Sequence, residues 1–127
     1  MKAMRTPLGR VHGLGSAKTG TETFWHQRLT AIANIPLIIA GVVIVISLVG
    51  RNHAAAAQIL GSPLIAIVML LFILSVTYHM RIGMQVIIED YVHEEKSKLA
   101  LIVLNTFYAV AVALASAFAV LKLAFGV

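Results

Sequence analysis

Tyr78, His79 and Arg81 lie within an apolar stretch, residues 63–88, in which Arg81 is the only charged residue. Ionisable side chains at that depth in hydrocarbon are costly and rare, so each is a functional candidate. On a helix rising about 1.5 Å per residue, His79 stands about 14 Å from the inner end of the stretch. Phe72, Ser75, Val76, Gly83, Val86 and Asp90 fall within about 40° of it, whereas Arg81 is turned by about 200°. Ser75 and Gly83, one turn to either side of His79, clear a flat space around the imidazole. Two readings fit this stripe. A neutral imidazole with no bulky neighbour can serve as an axial haem ligand. A Ser-xxx-His-xxx-Gly stripe is also a small-residue packing face, with His79 hydrogen-bonded across it. The other four histidines, His12, His26, His53 and His93, fall in the tail, at the interface or in loops. A bis-histidine haem would therefore take its second ligand from another polypeptide.

The second candidate group is Glu89-Asp90-Tyr91, at the inner end of the same stretch. Asp90 shares the His79 face about 16 Å away, and Tyr91 is turned about 120° aside. An interfacial tyrosine hydroxyl can donate a hydrogen bond to a carbonyl such as a quinone oxygen, and a neighbouring carboxylate can orient it or relay protons. Tyrosines also gather at membrane interfaces for amphipathic reasons alone, and the pattern does not decide between the two. Arg28 could pair with an anionic cofactor group or act as a plain interfacial anchor. Arg81 reads as a long side chain snorkelling to the interface.

The elements that hold these residues follow from hydropathy. Residues 29–49, about 63–88 and 99 to about 121 are each long enough to cross hydrocarbon, for which about 20 apolar residues suffice. None alternates with the period of a barrel strand, so all three are expected to be helices. Pro36 in the first could kink it mildly. The chain is 60% apolar and 12% charged over 127 residues, and its mean hydropathy is +0.94. A soluble domain is about 45–50% apolar and about 25% charged, so a soluble single-domain enzyme is excluded. With no cysteine, the chain alone can hold no disulfide, zinc–thiolate site or iron–sulfur cluster.

The net charge of +5 gains meaning from its placement. Lys2, Arg5, Arg10, Lys18, Arg28, Lys96 and Lys98 flank one side of the spans, and only Arg51 and Lys122 flank the other. Seven against two places the N-terminus and the second loop inside and the C-terminus outside. Residues 1–28 form a basic, glycine-containing tail, expected to lie on anionic lipid or against a soluble partner rather than on nucleic acid. It lacks the features of a secretory signal peptide. Residues 29–127 form the three-helix transmembrane anchor. The connection from Arg51 to Ser62, with its four alanines, is read as a loop without site chemistry.

His79, then Gly83, then Asp90-Tyr91 has the spacing H-x3-G-x6-D-Y, and Arg28-Leu29-Thr30-Ala31 reads R-x-T-A. Both resemble the small hydrophobic membrane anchor subunit of succinate dehydrogenase, respiratory complex II, of the cytochrome b-associated type. The likeness runs from about Phe24 to the end. It implies an all-α membrane protein of three transmembrane helices, half of a bundle completed by a second hydrophobic anchor subunit. It also implies that His79 is one axial ligand of haem b, the other coming from that second anchor. Tyr91 would hydrogen-bond ubiquinone with Asp90 assisting orientation or proton delivery, and Arg28 would lie near the haem propionates. The expected partners are an iron–sulfur subunit, a flavoprotein subunit and membrane lipids. The expected setting is the bacterial inner membrane rather than the mitochondrial one. The chain would not carry the dehydrogenase chemistry itself. Two other readings remain: the anchor of a quinol:fumarate reductase, with the net reaction reversed, and a haem-free membrane scaffold in which His79 only packs helices.

Overall fold

The computed structural model describes residues 6–12 and 19–126. Five helices follow in order: α1 (Pro7–Val11), α2 (Thr19–Leu48), α3 (His53–Leu60), α4 (Pro63–Tyr91) and α5 (Glu95–Phe125). There is no strand among the described residues. α2, α4 and α5 are long and apolar enough to span a membrane. At about 1.5 Å per residue the 30 residues of α2 extend about 45 Å, beyond a hydrocarbon core of about 30 Å.

Each long helix outruns its apolar run at the end nearer the charged residues. α2 begins at Thr19 rather than at Leu29, so residues 19–28, read from composition as tail, continue the first helix. α4 runs on to Tyr91 and α5 begins at Glu95. Hydropathy changes where the solvent changes, but i→i−4 hydrogen bonding continues into water as long as backbone and side chains permit. Of the tail's basic residues, Lys2, Arg5 and Lys18 lie outside the described residues. α2 is continuous through Pro36, the one proline inside it.

The connection after α2 is also helical where a loop was expected. Gly50 turns the chain at φ 74°, a conformation that favours glycine. Asn52 then caps α3, its side chain accepting from Ala55 N–H at 2.9 Å, and the following alanines are the strongest helix formers. Gly61 ends the helix and Pro63 opens α4 at a position where its missing N–H costs nothing. α3 docks on α4 and α5.

α4 is the middle helix of the packing, with α2 and α5 both laid against it. Few side chains are buried: Ile44, Ala66, Ile82, Ile88 and Ala109 among the apolar ones, with Asn34 and Thr77 among the polar ones. Large apolar residues such as Ile35, Ile46, Leu74, Phe107 and Phe118 face outward on all three long helices. That surface is suited to lipid or to a partner helix, not to water.

Candidate functional site

Three polar pairs close the seam between α2 and α4. His26, Thr30 and Asn34 recur at four-residue intervals on α2 and so share one face. Opposite them, Tyr78 Oη is 3.0 Å from His26 Nδ1, Thr30 Oγ1 is 2.9 Å from His79 Nδ1, and Ser75 Oγ donates to Asn34 Oδ1 at 2.6 Å. Away from water such pairs stabilise helix association by about 0.6 kcal/mol each on average.

The Thr30 hydroxyl meets both His79 and the backbone of its own helix. It donates to the carbonyl of His26 at 2.7 Å, with that of Gln27 at 3.1 Å. With that hydrogen on the backbone, the hydroxyl can accept from Nδ1 of His79. Nε2 is the other ring nitrogen. It has no hydrogen-bond partner among the described residues and is not buried from the surface of the chain.

Gly83 lies one turn further along α4. A Cβ added at Gly83 would meet nothing within 4 Å, so packing within this chain does not require glycine there. Ser75 behaves otherwise: expected to clear room, it is bonded to Asn34. Among the described residues no group of three or more histidine, cysteine, aspartate or glutamate side chains could hold a bare metal ion. His79 Nε2, unpartnered among the described residues and reaching the surface of the chain, is instead a single nitrogen donor of the kind that one axial position of a macrocycle takes.

The remaining site residues do not converge on His79. Asp90 and Tyr91 are exposed on the last turn of α4, and neither side chain has a hydrogen-bond partner among the described residues. The Tyr91 carbonyl is 3.1 Å from His93 Nδ1. Next to them, Gln85 donates to Glu89 at 2.8 Å, and Gly20, Thr23, Gln85, Val86 and Glu89 line a polar recess of about 330 Å³. Arg28 is exposed, its guanidinium carbon 5.1 Å from the centre of the Phe24 ring. Two residues from both His26 and Thr30, it sits about 160–200° round α2 from the face that meets α4.

Arg81 contacts α5. Its Nε reaches sideways to Thr106 Oγ1 on α5 at 3.4 Å, and its carbonyl accepts from Asn105 Nδ2 at 2.9 Å. Sequence reasoning assigned no role to His26, Thr30, Asn34, Asn105 or Thr106. The available signal for the first three was their four-residue recurrence, a polar stripe on a helix that also crosses the bilayer.

These features define a polytopic helical membrane protein with three helices long and apolar enough to span and a polar seam between two of them. The chain belongs to the succinate dehydrogenase/fumarate reductase transmembrane subunit family, whose match covers residues 2–113. It is 27% identical over 121 residues to the succinate dehydrogenase hydrophobic membrane anchor subunit of Paracoccus denitrificans, covering 95% of this chain and 93% of that one. It is 32% identical over 101 residues to the subunit of the same name from Rickettsia bellii, covering 78% and 79%. It is also 36% identical over 90 residues to the succinate dehydrogenase membrane anchor subunit of Reclinomonas americana, covering 68% and 75%. No solved structure is significantly similar.

Proposed function

We propose that this chain anchors a succinate:quinone oxidoreductase in the bacterial inner membrane, holding one axial position of haem b and one side of the ubiquinone site. The observation that carries the reading is the placement of His79: Nδ1 bonded to Thr30, Nε2 without a partner among the described residues. When bound, haem b supplies a one-electron carrier near the path between the soluble subunits and quinone. The second axial ligand would come from a second hydrophobic anchor subunit, because His26, the other histidine of this seam, is bonded to Tyr78. The lipid-compatible outer faces of α2, α4 and α5 leave room for that partner's helices.

Tyr91, at the inner end of α4, donates its phenolic hydrogen to a quinone carbonyl. Asp90, beside it and exposed to water, orients that hydroxyl or passes protons to the reduced ring. Both lie where quinone reduction, which consumes two electrons and two protons, needs access to an aqueous phase. The basic flanks orient that end inward, toward the iron–sulfur and flavoprotein subunits. Arg28, turned away from α4 and stacked on Phe24, anchors α2 at the interface. The names of the relatives favour succinate oxidation over fumarate reduction, whose direction is set by partner subunits and quinone potential.

The test is a reduced-minus-oxidised visible spectrum of the complex purified in mild detergent with and without His79→Ala. Loss or alteration of a b-type spectrum supports the reading. An unchanged haem signal, or none in the wild type, removes His79 as a ligand and leaves a haem-free scaffold.

A further inference from the structure

We infer that Thr30 is a positioning residue for the metal-ligating nitrogen of His79, selecting its tautomer and ring orientation through a relay that ends on the backbone of α2. The inference rests on the haem reading proposed above and names a residue that the reading leaves without a task. In a neutral histidine either ring nitrogen can carry the hydrogen, and which one does so is set by the hydrogen bond made by the other. Only a lone pair on Nε2 can reach a metal while Nδ1 faces α2.

Three observations meet at Thr30. Its hydroxyl is 2.9 Å from His79 Nδ1, and its own hydrogen goes to the His26 carbonyl at 2.7 Å. Donation from His79 to Thr30 to His26 is the direction in which the Thr30 hydrogen stays on the backbone and Nδ1–H gains an acceptor, because a carbonyl cannot donate. The pairs on either side, Tyr78 with His26 and Asn34 with Ser75, hold the register of the seam so that Thr30 cannot slide away from His79. The relay also makes the ligand nitrogen more electron-rich, as a polarised N–H does in other metal-bound histidines.

The relay separates Thr30 from an ordinary packing residue. A valine has nearly its shape and can fill the seam, but it leaves Nδ1–H without an acceptor and the ring free to turn. Serine keeps the hydroxyl and should keep the relay.

The experiment compares wild type, Thr30→Val, Thr30→Ala, Thr30→Ser and His79→Ala in the purified complex. Haem is quantified per complex after challenge with a haem-binding competitor, and the low-spin haem is examined by electron paramagnetic resonance in the oxidised state. Thr30→Val and Thr30→Ala should shift the g values and weaken haem retention by roughly 10–100-fold, the usual effect of losing an outer hydrogen bond to a ligand. Thr30→Ser should restore both. Wild-type g values and retention in the valine and alanine variants, with His79→Ala lacking haem, would overturn the inference and leave the haem reading intact. Haem retained unchanged in His79→Ala would overturn the haem reading itself, and this inference with it. If the apolar variants fail to assemble while the serine variant assembles, the hydroxyl serves folding rather than the ligand, and the inference is likewise overturned.

Discussion

Gly83 separates two quantities that packing normally ties together. Glycine inside a helix is about 0.8–1.0 kcal/mol less favourable than alanine. In this chain the added Cβ at Gly83 meets nothing within 4 Å, so no clash offsets that gain. Gly83→Ala should therefore stabilise α4 by about 1 kcal/mol, and Gly83→Leu should still leave the fold of the chain intact. The same leucine projects into the space beside His79. If a macrocycle rests there, overlap costs about 1–3 kcal/mol, as overpacking does elsewhere, which is about a 5–150-fold loss of haem affinity. Helix stability and haem retention should thus move in opposite directions. Thermal loss of helicity by circular dichroism, together with haem per complex before and after competitor challenge, measures both on one preparation. A leucine variant that keeps wild-type haem content and spectrum would refute the argument that this space seats a flat ligand. An alanine variant that melts well below wild type would show instead that a partner's backbone packs on Gly83.

Gly61 should behave in the contrary manner, since a Cβ there would lie 2.6 Å from the Leu123 carbonyl oxygen and 3.0 Å from that of Ala57. Gly61→Ala should cost about 1–3 kcal/mol by prising α3 from α5, read as a lower thermal midpoint with an unaltered haem spectrum. Ser75→Ala removes the donor to Asn34, which is only 8% exposed, and should cost about 0.6–1.7 kcal/mol in the same melt. A melt indistinguishable from wild type would mean that Asn34 finds another partner in the assembled complex. Tyr91→Phe deletes an exposed hydroxyl with no partner in this chain and should leave stability unchanged. Loss of its hydrogen bond, worth about 0.5–1.5 kcal/mol, should raise the KM for quinone roughly 2–13-fold at constant haem content. An unchanged KM would remove Tyr91 from the quinone site.

Composition and hydropathy by themselves determined that this is a membrane protein with three helical spans, and the spacing of His79, Gly83, Asp90 and Tyr91 carried the resemblance to the anchor family. Those properties are local: solvent preference depends on the residues of one segment, and the face of a helix follows from its own 3.6-residue period. Tertiary structure decided what the period cannot reach. Thr30 lies 49 residues before His79, and their meeting depends on the register of α2 against α4, which close packing of both helices sets. The same contact set Nδ1 of His79 against Thr30, and packing against α5 brought Arg81 to Thr106. α3 lay between these cases. Its asparagine, alanines and closing glycine are helix signals, yet the segment reads as a loop by hydropathy, and its docking against Leu123 came only from the fold, because a two-turn helix is held by its neighbours.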